Sequence, residues 1–442
     1  MAEQKAAEDQ HGQGGDNWRI PASVNDQWNF LLKMIWDQMI HLVIQFEGRF
    51  DLPALQGAVR EALEAEILTT AKFTPGDSPC FEPAFPGSDT RVWDVITTAH
   101  PDLSLSSLLG SPLDPLKGPM ARIRLIRSDT DLLCISFNHT MTDAYGVKSF
   151  GSLLAGLYGS GRGKEMNRPP GNPHDRSLKS ILSLFSGDEL ATAARRIRNR
   201  NGAWNIPFES LNVGEGQYVK QTIGQPGFSS IRHFAHNSSV TINDLLLASF
   251  ILALTKTAPP PPNTCNPVLT SIDLRRYQSF SFHHALSNFS VAFELPVMIP
   301  DHVDPTDVLG QIHDMMASSK SGHSGIGAAI LLLGEFNDGF RMVENKLTDM
   351  EEKTRAGLSG KNPFFTNLGV IPEGIVDYGL PVRDAWMLGP VEYPPGLCLA
   401  ASTFRDCLTL SVGYSGTALQ KEWVASLLSA MTATLSRFTS GE

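Results

Sequence analysis

The residues best placed to do chemistry are a histidine and an aspartate separated by three positions. His139 and Asp143 follow an apolar run, residues 132–137, whose β-branched and aromatic members are typical of a buried strand. From Val147 onward the apolar side chains recur at helical spacing, which predicts an amphipathic helix. Both polar side chains therefore lie in the bend between a strand and a helix, where a rigid scaffold directs them at one place. An imidazole held there can act as a general base near neutral pH.

The composition limits the classes of function to consider. The chain has 442 residues, 42% hydrophobic and 19% charged, which is typical of a globular protein large enough for two cores. A net charge of −10 and the absence of a basic run argue against a nucleic-acid partner. None of the five cysteines forms a CxxC pair, so no zinc or redox motif is indicated and a reducing cytosol is expected.

No apolar stretch approaches the length of a membrane span, and the polar N-terminus lacks the apolar core of a secretory signal. We therefore expect a cytoplasmic, monomeric protein with a disordered tail at residues 1–16.

The order of His139, Asp143 and Gly146 resembles the HxxxDG signature of the chloramphenicol-acetyltransferase-like superfamily. That superfamily includes peptide-synthetase condensation domains, alcohol acyltransferases and plant-type HxxxD acyltransferases. Further landmarks follow in the same order: a turn-rich segment at residues 113–120, an arginine-bearing strand at 121–126, a capped helix after Thr241 and a Thr-Asn-Leu-Gly element at 366–369. The landmarks run from about residue 42 to residue 414, so the resemblance covers nearly the whole chain.

The chain departs from the superfamily pattern at three places. Asn138 stands where condensation domains have the first histidine of a double-histidine motif, whereas the catalytic position, the second, is His139. Ala144 and Tyr145 move the glycine two positions later, to Gly146. The DFGWG element of the plant-type branch is absent, which argues against membership of that branch.

Asp143 needs a cationic partner, because a buried unpaired carboxylate is costly and a bidentate arginine is its best counterpart. A second apolar run, residues 268–272, has the pattern of a buried strand and leads into Asp-Leu-Arg-Arg. In the superfamily an arginine at a comparable strand end binds the aspartate of the histidine motif. The resemblance therefore gives this role to Arg275, with Arg276 as the alternative.

The resemblance implies an α/β fold of the α+β sandwich type. Two chloramphenicol-acetyltransferase-like lobes would enclose a tunnel at their interface, with His139 midway along it. We expect an N-terminal lobe that carries the histidine motif at residues 17–175, a helical connection at 176–210 and a C-terminal lobe at 211–442.

The implied reaction moves an acyl group from a thioester, most simply acyl-CoA, to a hydroxyl or amine of a small, secondary-metabolite-type acceptor. Neutral His139 would be the general base, and Asp143 with Arg275 would orient it without relaying the proton. No tightly bound metal or redox cofactor is required. The oxyanion or the substrate also needs positioning donors. The candidates, among which the sequence does not choose, are Gly146, Asn138, Asn288, Thr366 and Asn367.

Three other functions fit the same motif. The donor could be a thioester on an acyl or peptidyl carrier protein, with amide or ester condensation as the reaction. The cavity could serve a cyclase that does no acyl transfer, since a fold does not fix a function. The chain could also be a non-catalytic binding module, against which the presence of His139, Asp143 and Arg275 argues.

Overall fold

A computed structural model describes residues 18–84, 92–160, 176–197, 202, 204–278, 286–299 and 303–440. The tail expected at residues 1–16, and residues 161–175 at the end of the expected N-terminal lobe, lie outside the described residues.

The strands are β1 (Ile20–Pro21), β2 (Met39–Phe46), β3 (Ala71–Thr74), β4 (Cys80–Pro83), β5 (Trp93–Thr97), β6 (Ala121–Arg127), β7 (Asp131–Asn138), β8 (Gly216–Ile223), β9 (Thr264–Asp273), β10 (Ser290–Ile299), β11 (Phe364–Ile371), β12 (Val382–Leu388), β13 (Cys398–Phe404) and β14 (Cys407–Ser415). The α-helices are α1 (Val24–Leu31), α2 (Leu52–Ala65), α3 (Pro101–Leu109), α4 (Ala144–Ser160), α5 (Lys179–Leu182), α6 (Gly187–Arg196), α7 (Gln225–Asn237), α8 (Ile242–Thr257), α9 (Pro305–Ser321), α10 (Ser324–Glu335), α11 (Phe340–Arg355) and α12 (Lys421–Ser440).

Five strands form the sheet of the first lobe, in the order β12-β2-β7-β6-β5. Strands β6 and β7 pair as an antiparallel hairpin, with Arg127 opposite Asp131 at its turn. All residues of β7 are buried, because α2 and α4 cover one face of the sheet while α3 and Tyr218 of β8 pack on the other. Burial on both faces explains the unbroken apolar pattern before His139.

The outer strand β12 comes from far along the chain. It lies within the range expected for the C-terminal lobe, yet it pairs antiparallel with β2, with Leu388 opposite His41. A boundary drawn along the sequence therefore does not separate the two sheets, because the second half of the chain contributes an edge strand to the first sheet.

Six strands form the sheet of the second lobe, in the order β10-β9-β11-β13-β14-β8. Helices α7, α8, α9 and α12 contribute side chains to one apolar core with this sheet. Helix α8 begins with the predicted capping box, in which Thr241 Oγ1 accepts from the Asp244 N–H at 3.1 Å and the Thr241 N–H donates to Asp244 Oδ2 at 2.9 Å. The mixed α/β architecture confirms the predicted fold class.

A third, small sheet of β1, β4 and β3 contributes Ile20, Phe81 and Phe73 to the core of the first lobe. Within the described ranges, no single helix is long and apolar enough to cross a membrane. One pair of helices, α7 and α8, passes the same test of length and composition jointly, with a bend of 109° between them.

Candidate active site

His139 is the first residue after β7, so the strand fixes its position. Its backbone N–H donates to the Gln38 carbonyl oxygen at 2.6 Å. The imidazole lies parallel to the indole of Trp36, with ring centroids 6.0 Å apart and planes 7° apart. Trp36 in turn stacks with Phe364 of β11 at 6.2 Å. Trp36 therefore lies between the imidazole and an aromatic residue of the second sheet, and His139 as a residue keeps partial solvent exposure.

The surroundings favour a neutral imidazole. Burial lowers the pKa of His139 below its ordinary value of 6.5, while Asp143 and the side chain of Asn288 act in the opposite direction. Because the effect of burial is the larger one, the pKa of His139 stays below 6.5 and the ring is unprotonated near pH 7, as a general base must be.

Asp143 precedes α4 and is only 1% exposed. Its Oδ1 accepts from the amides of Tyr145 at 3.1 Å and Gly146 at 3.3 Å, as an N-cap side chain does. Its Oδ2 accepts from the amides of Phe289 at 2.8 Å and Ser290 at 3.1 Å. One carboxylate thus ties the start of α4 to the segment that leads into β10.

Arg275 lies in the turn after β9, and its side chain is 8% exposed. Its Nη1 donates to Asp143 Oδ2 at 2.8 Å and to Asp273 Oδ1 at 3.1 Å. Its Nη2 donates to the Ser287 carbonyl oxygen at 3.0 Å, and its guanidinium lies 4.5 Å from the ring centroid of Tyr145. Of the two arginines that the sequence offers as partners, the structure brings Arg275 to Asp143. Arg276 is exposed.

Arg275 contacts two carboxyl groups whose pKa values shift in opposite directions. Burial opposes ionisation of Asp143, but the charge and hydrogen bond of Arg275 hold its pKa below the ordinary value of 3.8. Burial raises the pKa of Asp273, which shares the same guanidinium and is also repelled by Asp143. Asp143 is therefore the carboxylate that Arg275 mainly stabilises.

Asn288 is fully buried and contacts the imidazole directly. Its Oδ1 lies 3.1 Å from His139 Nδ1. Its Nδ2 lies 3.0 Å from each of three oxygens, namely the carbonyl oxygens of His139 and Thr140 and Asp26 Oδ1. The residue therefore belongs to the support of the imidazole, and the structure gives it no free donor for an oxyanion.

A second buried ion pair lies behind this asparagine. Asp26 is fully buried and Arg176 is 2% exposed. Arg176 Nε and Nη2 donate to the two carboxylate oxygens of Asp26 at 2.8 and 2.7 Å. Arg176 also donates to the carbonyl oxygens of Met141, at 2.6 Å, and of Leu286. Sequence reasoning missed this pair. The spacing of Ser23 and Asp26 does match a capping box, which was a readable signal for α1.

Two of the candidate positioning groups are occupied or directed elsewhere. The Gly146 amide already donates to Asp143, because the glycine lies in the first turn of α4. Asn367 is exposed, donates to Asn243 Oδ1 at 3.3 Å and accepts from the Gly369 amide at 3.0 Å. The expectation that either group faces the reacting atoms is therefore not supported by the geometry.

The other two candidates differ from each other. Asn138 is buried, donates to the Leu113 carbonyl oxygen at 3.1 Å and accepts from the Thr140 amide at 2.9 Å, so it supports the backbone. Thr366 is two residues from Phe364 on β11, so both side chains lie on the same face of the strand. Its hydroxyl contacts Ser271 Oγ at 2.9 Å. Thr366 therefore stays a candidate.

The site combines one neutral imidazole with a buried scaffold of carboxylates, guanidiniums and an amide. Within the part of the chain that the structure describes, no group of three or more His, Cys, Asp or Glu side chains could hold a metal ion. The arrangement suits proton transfer by His139 to or from a bound molecule.

Comparison with protein-family models and with curated protein sequences gives no match. Solved structures do match over nearly the whole chain. The trichothecene 15-O-acetyltransferase from Fusarium sporotrichioides has a TM-score of 0.69 at 14% identity, covering 97% of this chain and 97% of that one. The first condensation domain of the CDA synthetase has a TM-score of 0.68 at 13% identity, covering 96% and 97%.

The epimerization domain from the third module of tyrocidine synthetase B has a TM-score of 0.64 at 15% identity, covering 97% of this chain and 98% of that one. At these identities the similarity concerns the fold. It confirms the expectation, drawn from the order of the landmarks, that the chain has the two-lobed fold of condensation domains and related acetyltransferases.

Proposed function

We propose that the protein is an acyltransferase that moves an acyl group from a thioester to a hydroxyl or amine of a small molecule. The observation that carries the proposal is the placement of His139 at the end of β7, with its Nδ1 3.1 Å from Asn288 Oδ1 and the Asp143–Arg275 ion pair at the start of the next helix. The similarity in fold to an acetyltransferase and to a condensation domain supports it.

In this mechanism His139 accepts the proton of the acceptor O–H or N–H as the oxygen or nitrogen attacks the thioester carbonyl carbon. The C=O electron pair moves to the oxygen, which gives a tetrahedral intermediate. Collapse of the intermediate restores the carbonyl and breaks the C–S bond. The leaving thiolate takes the proton from the imidazolium, so His139 returns to its neutral state. Asp143 stays ionised throughout and holds the bend.

The oxyanion needs a hydrogen-bond donor that the protein does not already use. The Thr366 hydroxyl is the candidate that the site leaves, because its contact with Ser271 Oγ at 2.9 Å allows either hydroxyl to donate and a hydroxyl can rotate toward a ligand. Thr366→Val keeps the shape of the side chain but removes the donor, and turnover should fall by about 10²-fold.

The experiment is turnover of a panel of acyl-CoAs with alcohols and amines, followed by release of free thiol and by mass spectrometry of the products. His139→Ala should lower turnover by about 10²–10⁴-fold and leave the melting temperature nearly unchanged. His41→Gln is the matched control. His41 is also buried in the first sheet, but its ring contacts Ser136 Oγ at 2.7 Å and does not belong to the site. Full turnover by His139→Ala would remove the general-base assignment.

A carrier-bound thioester is the second candidate donor, and the similarity to a condensation domain favours it. The two donors share the reactive thioester, so His139 would act identically on both. Turnover with a loaded acyl or peptidyl carrier protein but not with free acyl-CoA would select the carrier. If neither donor reacts, the remaining candidate is a reaction on this fold without acyl transfer, such as a cyclisation.

A further inference from the structure

We infer that Asn288 is a positioning residue that fixes the tautomer of His139, and that the buried pair Asp26–Arg176 holds Asn288 in the orientation required. The kinetic consequence rests on the proposed function. The tautomer itself does not, because it is a property of the protein without substrate.

The orientation of the Asn288 amide follows from its neighbours. Nδ2 lies 3.0 Å from the carbonyl oxygens of His139 and Thr140 and from Asp26 Oδ1. All three neighbours are acceptors, since a carbonyl oxygen cannot donate and both carboxylate oxygens of Asp26 already accept from Arg176. A flipped amide would place its own oxygen against these three oxygens. Only the NH₂ group can occupy that position, so Oδ1 must be the atom that faces the imidazole.

The proton on the imidazole is fixed in turn. Oδ1 of Asn288 is an acceptor and lies 3.1 Å from His139 Nδ1. The carbonyl oxygen of His139 itself is a second acceptor for the ring. In a neutral imidazole one nitrogen donates and the other accepts. Nδ1 therefore carries the proton, and Nε2 keeps the lone pair that a general base needs.

The pair Asp26–Arg176 decides how firmly the amide is held. Asp26 Oδ1 accepts from both Asn288 Nδ2 and Arg176 Nη2, at 3.0 and 2.7 Å. Both carboxylate oxygens of Asp26 accept from the fork of Arg176, so Asp26 presents an acceptor to the asparagine and selects its NH₂ side. Arg176 Nη2 also donates to the Met141 carbonyl oxygen, within the loop that carries His139.

A purely structural role for Asn288 would predict loss of stability but no change in the ring proton. The two roles are therefore separated by a spectroscopic measurement. Long-range ¹H–¹⁵N spectra of the full chain with labelled histidine distinguish the two neutral tautomers. The signal of His139 is identified by its disappearance in His139→Gln. The wild-type protein near pH 8 should show the Nδ1–H form alone, and an Nε2–H form would overturn the inference without any further variant.

Three variants locate the cause. Asn288→Ala removes the side-chain acceptor and leaves the His139 carbonyl oxygen as the remaining acceptor for the ring, so part of the population should shift to the Nε2–H form. Asp26→Asn allows the amide of Asn288 to flip and should also give a mixture. Asn138→Ala is the matched control, because Asn138 is likewise buried beside His139 but bonds only backbone groups, and it should leave the tautomer unchanged.

A pure Nδ1–H form in Asn288→Ala would overturn the positioning role. A pure Nδ1–H form in Asp26→Asn alone would remove the ion pair from the inference.

The kinetic consequence for Asn288→Ala is a lower kcat with little change in KM, because only molecules in the Nδ1–H form keep the lone pair at Nε2; an equal mixture of the two tautomers corresponds to a fall of about 2-fold. A fall in kcat that matches the fraction of Nε2–H form supports the link between tautomer and turnover. Equal turnover in the presence of a mixed tautomer would contradict it. If the wild-type protein transfers no acyl group, the spectra still report the tautomer, so failure of the proposed function and failure of this inference are distinguishable.

Discussion

The site rests on two buried carboxylate–guanidinium pairs that are built differently. Asp143 meets Arg275 through one nitrogen, and that guanidinium also serves Asp273. Asp26 meets Arg176 through two nitrogens, one for each carboxylate oxygen. The two pairs bind adjacent residues of the same short segment, because Arg275 donates to the carbonyl oxygen of Ser287 and Arg176 to that of Leu286.

The two buried carboxylates differ in how many groups other than the arginine donate hydrogen bonds to them. Besides Arg275, Asp143 has five further donors, which are the amides of Tyr145, Gly146, Phe289 and Ser290 and the Ser290 hydroxyl, so backbone amides share the stabilisation of its charge with the guanidinium. Among the described residues, Asp26 has the Ser23 and Asn288 nitrogens as donors besides its arginine. We therefore expect the Asp26–Arg176 pair to matter more for stability than the pair contributed by the histidine motif.

Arg176→Met should have the largest effect on stability. It leaves a fully buried carboxylate without its cation, and breaking such a pair costs about 4 kcal/mol. Urea denaturation measures this cost as a change in the free energy of unfolding. Adding Asp26→Asn to Arg176→Met removes the unpaired charge and should recover part of the loss. If the single variant lost less than about 1 kcal/mol, the pair would not be a main support of the site.

Glu392 is a buried carboxylate that, unlike Asp26 and Asp143, has no guanidinium partner among the described residues. It is 6% exposed, and its Oε2 has no hydrogen-bond partner within the described ranges. Burial raises its pKa from 4.5 to about 7. Because the pKa of Glu392 is higher in the folded state, its contribution to the free energy of unfolding is greatest at a pH below the ordinary pKa of 4.5. That contribution is lost as the pH rises through the folded-state pKa of about 7. Glu392→Gln mimics the protonated form and removes this dependence.

At pH 8 Glu392→Gln should therefore be more stable than the wild type by up to roughly 3 kcal/mol, whereas near pH 4 the two should be similar. Urea denaturation at the two pH values gives the difference directly. Asp37, whose pKa burial also raises to about 7, is present in both proteins and cancels. An equal gain at both pH values would mean that packing, not ionisation, causes the effect.

The sequence predicts the local parts of this site and misses the distant ones. The strand before His139, the hairpin of β6 and β7 and the capping box at Thr241 all follow from spacing over a few residues. Arg275 is found because the resemblance supplies its role. Asp26 and Arg176 are 150 positions apart, and neither belongs to a motif of the histidine loop, so no local pattern joins them.

Two further features depend on tertiary structure. The edge position of β12 beside β2 is a long-range pairing that hydrophobic alternation does not specify. The Gly146 amide is predicted to be available, but Asp143 uses it as an N-cap contact because Ala144 and Tyr145 place the glycine inside the helix. The sequence motif identifies Gly146, but the position of this residue in the first turn of α4 determines which group its amide can bind.

Arg275→Met should have the smallest effect on stability of the three changes, about 2 kcal/mol at pH 7, because Asp143 keeps its other donors. The pKa of Asp143 lies below 3.8 in the presence of Arg275. Because the pKa of Asp143 is lower in the folded state, the ion pair contributes to stability at a pH above the ordinary pKa of 3.8. That contribution is lost as the pH falls through the folded-state pKa. The difference in free energy of unfolding between the wild type and Arg275→Met, measured by urea denaturation, should therefore become smaller as the pH falls below about 4.

Arg232→Met is the control for loss of an arginine, because Arg232 pairs with Asp406 at the surface, where both side chains are more than 40% exposed. That change should cost no more than about 0.5 kcal/mol. A cost for Arg275→Met as large as that of Arg176→Met would mean that the backbone amides around Asp143 do not replace the guanidinium. In that case the two pairs would be equivalent supports of His139, despite their different hydrogen bonds.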